Sequence, residues 1–534
     1  MTRQVRYNRR PKGGLTIFAA LSFMLIAQFL FTLAEGARQM ELVKVADMTT
    51  DCAAESLLAG YCRPLWEDYH LLGYDGSGSD TTVSTTQMGE YVKAIANADF
   101  QTGDSLLWMR FISLLRLDPT DVCFDSYTLL TDGNGSAYVN TVSAYMENNL
   151  VYEEAKKIYN QYESMQKLEE NSDFDFGSIE GALKLLESSS QSEISSGSNT
   201  SPSYTSSPSS NTSPSSSASS SSTASSSESS SSGSASGEAS ENLLSEVNTI
   251  SAKGILKLVL PSSKSVSGLS MDLSKVVSKR SLETGVSPSC TSPVWYDTVL
   301  LQQYLTTYLG DYSNPAEDHA LSYELEYLIG QKSSDEANLK AVVTELLAVR
   351  EAANMAYLAG DSTKMAELEA AAGAIATASG LPILTEAVKI GLMAAWAYVE
   401  SILDVRALMD GDKIALLKSS NTWTSDLEHI ADLLKGQGKA ISSDSGLSYK
   451  GYLGLLLFTK SSNTLAMKAM DVQEAAIQKK EHYSSFQMDH AICSLSITVG
   501  YSYQPIFLSF VNLIQTGQKD YSITSKSSYS YLKP

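Results

Sequence analysis

The 534-residue chain carries 39 Lys and Arg against 60 Asp and Glu, a formal net charge of −21. That acidity argues against a nucleic-acid binder, because contact with phosphate needs clustered cations. Hydrophobic residues make up 43% of the chain, enough to bury a core, and five cysteines are too few for a disulfide-dense scaffold.

Residues 1–14 hold Arg3, Arg6, Arg9, Arg10 and Lys12 and no acid. Leu15 to Ala34 follows without a charge. As a helix it would span ~30 Å, the thickness of a bilayer's hydrocarbon core. The basic segment then belongs on the cytoplasmic side. A cleaved signal peptide has a shorter apolar stretch, so the reading is a retained anchor, with Ala34-Glu35-Gly36 as the alternative cleavage site. Beyond residue 14 there are 34 basic and 60 acidic residues, a charge of −26 suited to a solvated outer surface rather than to anionic lipid. Ala19, Ala20, Ser22 and Ala27 are small enough to let another membrane helix approach closely. Ordinary apolar filling accounts for them equally well.

Glu35 to Tyr61 has no proline, and Leu42, Val43, Ala46, Ala53, Leu57 and Leu58 keep helical spacing, so the helix is expected to run on until Pro64 stops it. Gln87 to Phe100 reads as a short helix. Asp121 to Leu130 reads as a strand ending in the turn Thr131 to Gly135. Thr141 to Leu168 and Ile179 to Glu187 read as helices. Residues 188–240 contain 31 Ser in 53 positions, with almost no large apolar side chain. Such a segment cannot offset its ordering entropy and is expected to be disordered, with a reach of roughly 40 Å.

After it, Gly254 to Leu260 reads as a buried strand. Val294 to Leu309, Ala320 to Gln331, Asp335 to Ala359, Ser362 to Ser379, Leu384 to Met409, Thr424 to Leu434, Ser448 to Thr459 and Ser462 to Gln478 read as helices. Ile492 to Tyr503 alternates and reads as a strand, with Ile506 to Ile514 as its candidate partner. The fold class is α+β, a helical bulk with a small sheet.

Glu400 and Asp404 lie four apart and share a helix face with Trp396, as Arg350 and Asn354 do on another helix. Two carboxylates could form a general acid/base couple. The favoured reading is a structural network, with Arg350 pairing the carboxylates across a helix–helix contact. The five histidines keep no zinc spacing, and Glu317-Asp318-His319 reads as a helix start. Asp132-x-Asn134-x-Ser136 imitates only the opening of a calcium loop, and Asp173-x-Asp175 is equally weak. No catalytic residue, cofactor or metal site is assigned. Cys52 and Cys62 cannot bridge along one helix, while Cys123 and Cys493 could meet if their strands are neighbours. Buried reduced thiols are the default.

Several stretches together resemble a known family. They are Gly13-Gly14-Leu15-Thr16-Ile17-Phe18, Leu33-Ala34-Glu35-Gly36-Ala37-Arg38, Ala54-Glu55-Ser56-Leu57, Leu65-Trp66-Glu67-Asp68-Tyr69 and Leu72-Gly73-Tyr74-Asp75-Gly76. Leu130 to Gly135, Tyr145-Met146, Leu258 to Pro261, Tyr323 to Leu328, Arg350 with Asn354, Trp396-Ala397 with Glu400-Ser401 and Asp404, and Tyr449 to Leu456 complete the set. The resemblance is to an uncharacterised membrane-anchored family of Gram-positive bacteria found with tight-adherence (Tad) pilus systems, similar in build to the TadE/TadG pseudopilin-like proteins. It implies a pilus- or secretion-associated surface protein without assigned chemistry, and strands on both sides of the serine tract in one sheet. Prepilin peptidase substrates carry Glu at the fifth position after the cleaved glycine. After Gly14 that position is Ala19, so the anchor is expected to be retained.

The resulting expectation is a single-pass protein of the cell membrane with its bulk outside. Its parts are a basic segment (1–14), an anchor (15–34), a first outer part (35–187), the serine tract (188–240) and a second outer part (241–534). Its expected partners are the membrane and pilin-like or secretion-system proteins, with no nucleic acid and no identified small-molecule substrate. The alternatives are an extracellular hydrolase using Glu400 and Asp404, or an adhesin or sensor.

Overall fold

The computed structural model describes residues 13–78, 82–99, 114–149, 160, 254–261, 264–378, 380, 382–427, 438–508 and 520–531. Most of the basic segment, the helix expected over 179–187 and the serine tract lie outside these residues. The fold is mixed helix and sheet, with twelve α-helices and one four-stranded antiparallel sheet among the described residues. The chain divides into two compact units. The first comprises residues 1–162, 266–339 and 453–534, and the second 163–265 and 340–452.

The first unit is organised by helix α1 (Gly13–Leu58), 46 residues without a break and so ~69 Å long. It has two halves of opposite character. Nearly every large side chain from Leu15 to Leu33 is at least half exposed. From Leu42 onward one face is fully buried, through Leu42, Ala46, Ala53, Ala54, Leu57 and Leu58. The spacing of four, seven and eight residues puts these side chains in one stripe. The helix ends in the turn at Ala59-Gly60. Pro64 therefore does not stop it. Pro64 instead sits in the first turn of a separate helix, α2 (Arg63–Tyr69), where its missing N–H costs nothing.

The buried stripe of α1 and helix α3 (Thr85–Asp99) cover one face of the sheet. Its strands are β1 (Tyr74–Asp75), β2 (Asp118–Leu129), β3 (Ala491–Tyr503) and β4 (Tyr521–Ser530). The central strand is β3. It pairs with β2 along one edge, and with β4 and then β1 along the other. Leu495, Ile497, Val499, Tyr501 and Tyr503 alternate inward from it. The Thr50 hydroxyl meets the Tyr501 hydroxyl at 3.0 Å, and Ser525 donates to Asp47 at 2.6 Å, fixing α1 to β3 and β4. Strand β2 precedes the serine tract in sequence and β3 follows it, so the two sides of the tract meet in one sheet.

Two strand expectations are corrected. The partner of β3 is Tyr521–Ser530, not Ile506 to Ile514. Residues 506–508 form a bend and 509–514 lie outside the described residues. The inward residues of β4 include Ser525 and Ser527, so apolar alternation does not reveal it. Gly254 to Leu260 is not a strand but contains helix α5 (Ile255–Val259), in the second unit. Seven consecutive apolar-rich residues carry no period that separates a strand from a helical turn.

The remaining helices of the first unit are α4 (Ser136–Asn149), α6 (Trp295–Tyr308), α7 (Glu324–Gly330) and α12 (Ser462–Gln478), and residues 266–294 are irregular chain. The helix expected from Thr141 starts earlier, at Ser136, and its described part ends at Asn149. The helix expected from Ala320 starts only at Glu324. Glu317-Asp318-His319 is consequently not a helix start but irregular chain, with Asp318 at φ 59.

Helix α8 (Asp335–Gly360) contains the boundary between the units, as does α11 (Tyr449–Phe458). The second unit holds α9 (Ser362–Ala378) and α10 (Thr385–Asp410). Gly411 closes α10 in the left-handed conformation at φ 103, donating to Ala407 and Leu408 carbonyls. Residues 424–427 are not helical, and the remainder of the helix expected there lies largely outside the described residues.

Replacing Leu57, fully buried between α1 and the sheet, by Ala should cost about 2–5 kcal/mol. The measurement is the urea midpoint of the detergent-solubilised chain. Met48→Ala, whose side chain is 72% exposed, should leave that midpoint nearly unchanged.

Candidate functional site

The sequence singles out Arg350, Asn354, Glu400 and Asp404, and all four are completely buried in the second unit. Helix periodicity places Arg350 and Asn354 on one face of α8, and Glu400 and Asp404 on one face of α10. Arg350 Nε donates to Asp404 Oδ2 at 2.9 Å, and Asn354 Nδ2 donates to the same oxygen at 3.1 Å. Arg350 Nη1 donates to the Ala415 and Leu416 carbonyls and to the Tyr452 hydroxyl. Burial alone would lower the Arg350 pKa. The Asp404 carboxylate and the Tyr452 hydroxyl more than offset this and hold it raised.

Glu400 does not touch Arg350 in this arrangement. It joins through a residue that sequence reasoning missed, Lys418, whose Nζ lies 2.5 Å from Glu400 Oε1 and 2.7 Å from Asp404 Oδ1. Glu400 also accepts the backbone N–H groups of Thr424 and Ser425 at 3.0 and 2.8 Å. Two cations thus face two carboxylates in a buried interior. Removing charge from water is costly, and only such pairing with hydrogen bonds compensates for it. Lys418 lies on irregular chain, where no helical spacing points to it.

The carboxylates are therefore taken up in holding chain together. Glu400 fixes the segment at Thr424-Ser425, beside which Trp396 Nε1 donates to the Ser425 hydroxyl at 2.9 Å. A general acid or base must reach a substrate proton. Here the acceptor oxygens are occupied by Lys, Arg, Asn and backbone donors, and the geometry is that of a structural network.

The first unit shows the same chemistry. Arg280 grips Glu474 through both terminal nitrogens, at 2.5 and 2.8 Å, and reaches Asp489 at 2.5 Å. Asp471 accepts from Ser278, Tyr327 and Lys468. Asp132, the head of the calcium-like motif, accepts the N–H groups of Leu129 and Gly285 at 2.7 and 3.1 Å. Gly285 comes so close that a Cβ there would lie 2.2 Å from the Tyr127 carbonyl. The motif is a backbone clamp, and no group of three or more His, Cys, Asp or Glu is placed to hold a metal among the described residues. His319 meets Glu324 through Nδ1 at 2.8 Å.

The cysteines are free, with Cys62 and Cys493 buried but Cys52 and Cys123 exposed. Cys123 and Cys493 do lie on neighbouring strands, but Cys123 stands opposite Thr498. Five residues of register separate it from Cys493, roughly 17 Å along the strand, so the two do not meet. Ala19 and Ala20 are exposed and Ser22 and Ala27 half-exposed on the apolar half of α1.

A family model described as a family of unknown function (DUF5702) matches residues 233–503, which include the whole Arg350–Lys418 network and strand β3. No curated protein and no solved structure matches the chain.

Two outcomes follow from the burial. Arg350→Met should destabilise the chain by about 3–5 kcal/mol, because it strands a buried charge. Adding Asp404→Leu should return part of that loss, read as a positive coupling in a double-mutant cycle of urea unfolding. Separately, burial pushes the Glu351 carboxyl, next along α8, up to about 7. A raised acid pKa means the folded state binds the proton more tightly, so stability is lost as pH rises from about 4.5 to about 7. Glu351→Gln should then match the unsubstituted chain near pH 4 and exceed it at pH 8 by up to about 3 kcal/mol.

Proposed function

We propose, from the premise that this chain belongs to the DUF5702 family of unknown function, that it is a non-enzymatic, single-pass surface protein of a Tad-type pilus or secretion system. Its amino end would lie in the cytoplasm, residues 15–34 would cross the membrane, and the remainder would stand outside. It would work by contact, with the membrane helix lying against other pilin-like helices.

The observation that carries this reading is the split character of α1. One unbroken helix is apolar and exposed over its first half and buried against an antiparallel sheet over its second. Among the described residues it is the one helix long and apolar enough to cross a membrane. Exposed apolar side chains on that scale call for a non-aqueous surrounding. The basic residues before Leu15 favour the stated orientation. Ala19, Ala20, Ser22 and Ala27 leave little side-chain bulk where a second helix would approach. The pairing of Glu400 and Asp404 with Lys418 and Arg350 supports a structural role for these carboxylates over a hydrolase.

Protease added to intact cells should degrade the carboxyl-terminal portion, and the surviving membrane fragment should still begin before Leu15. Crosslinking in the native membrane, followed by purification through a tag on this chain, should bring down pilin-like subunits. A carboxyl-terminal portion protected until the cells are lysed would overturn the topology. Correct topology with no pilus or secretion component in the crosslinked material would overturn the assignment.

A further inference from the structure

Glu35 is the first charged residue after the apolar run, and only 1% of it is exposed. Its Oε1 lies 2.7 Å from Arg38 Nη1. Its Oε2 accepts the backbone N–H groups of Ile506 and Phe507 at 3.1 and 2.8 Å. Arg38 in turn donates to the Leu114 carbonyl and lies over the Tyr503 ring, 5.6 Å from its centroid. The chain leaving β3 is thus clamped by its backbone to the point where the apolar half of α1 ends.

The side chains on this clamped segment face outward. Ile506 is 40% exposed and Phe507 37%. Phe507 stacks on Phe31, with ring centroids 6.4 Å apart and planes 16° from parallel. Phe31 lies one helical turn before Glu35, inside the apolar run, and is itself half exposed. Gln504 to Leu508 contains no charge. The exposed apolar surface of α1 therefore continues sideways through the Phe31–Phe507 stack onto the clamped segment. A buried carboxylate spent on two backbone N–H groups holds these side chains at that height.

We infer that Ile506–Phe507 is a second membrane contact, seated in the boundary between headgroups and acyl chains of the leaflet through which α1 leaves. The occupant is lipid, because the surface is continuous with the span and carries aromatic and aliphatic groups at the level where such groups settle. With two contacts instead of one, the sheet unit is held at a fixed height and tilt rather than swivelling on a single helix. The inference rests on the reading of α1 as a membrane span.

The test places a photoreactive benzophenone side chain at Leu21, Ile506, Phe507 or Tyr529, one site at a time. The full chain is reconstituted in phosphatidylcholine–phosphatidylglycerol vesicles containing an acyl-labelled lipid. Tyr529 is 38% exposed and pairs with Leu495, eight residues along β3 from Tyr503, roughly 27 Å from the clamp. Labelled-lipid adducts are expected at 21, 506 and 507, with 529 at background. Adducts at 21 but not at 506 or 507, or adducts there to protein alone, would overturn the second contact and leave the anchor standing. Loss of the adduct at 21 as well would overturn the anchor itself. Using both 506 and 507 guards against one substitution disturbing the clamp.

Discussion

The first unit rests on a property peculiar to helices: they satisfy their own backbone and so can pass from one surrounding to another without changing conformation. In α1 the hydrogen-bond ladder runs unbroken from Gly13 to Leu58 while the side-chain code changes at Glu35. Before that residue the helix presents apolar groups in every direction. After it, one stripe is buried, and that stripe is the floor on which the sheet is laid. The sheet has no other complete cover on that face apart from α3 among the described residues. Displacing α1 would expose Ile497, Val499 and Tyr501 together, each fully buried now.

A second constraint is how irregular backbone is kept dry. Unpaired buried N–H groups are costly, and this chain answers repeatedly with a carboxylate. Asp335 accepts from Ser322 and Tyr323, Glu324 from Gly310, Glu326 from Tyr312, and Glu474 from Met488. In the second unit Glu400 does the same for Thr424 and Ser425. Where two acids converge, cations are brought in, as with Arg280 and Lys418. Part of the chain's acidity is therefore internal architecture rather than surface charge.

Much of this was legible in the residues, for reasons that differ by element. Helices such as Asp335–Gly360 and Ser462–Gln478 announce themselves through long apolar spacing and clear punctuation. Strand β3 shows because its inward residues are large. Strand β4 does not, because Ser525 and Ser527 bury hydroxyls instead. The four network residues could be paired from spacing on two helices. Lys418 could not, since it reaches the carboxylates from a stretch with no period. The motif at Asp132 misled in type but not in place: its geometry is a turn, and what fills its acceptors is backbone from residue 285.

The position of β3 in the chain has a kinetic side. Its neighbours β1 and β2 lie within the first 130 residues, yet β3 itself comes only at Ala491. Pairing so distant in sequence must wait for a very large loop to close, which slows assembly and leaves early strands without a partner meanwhile. In a chain that emerges amino end first, the α1 stripe, α3 and β2 wait for their central strand until Ala491 has been passed. Quality control of this protein is then a question of what shields a half-built sheet during that interval.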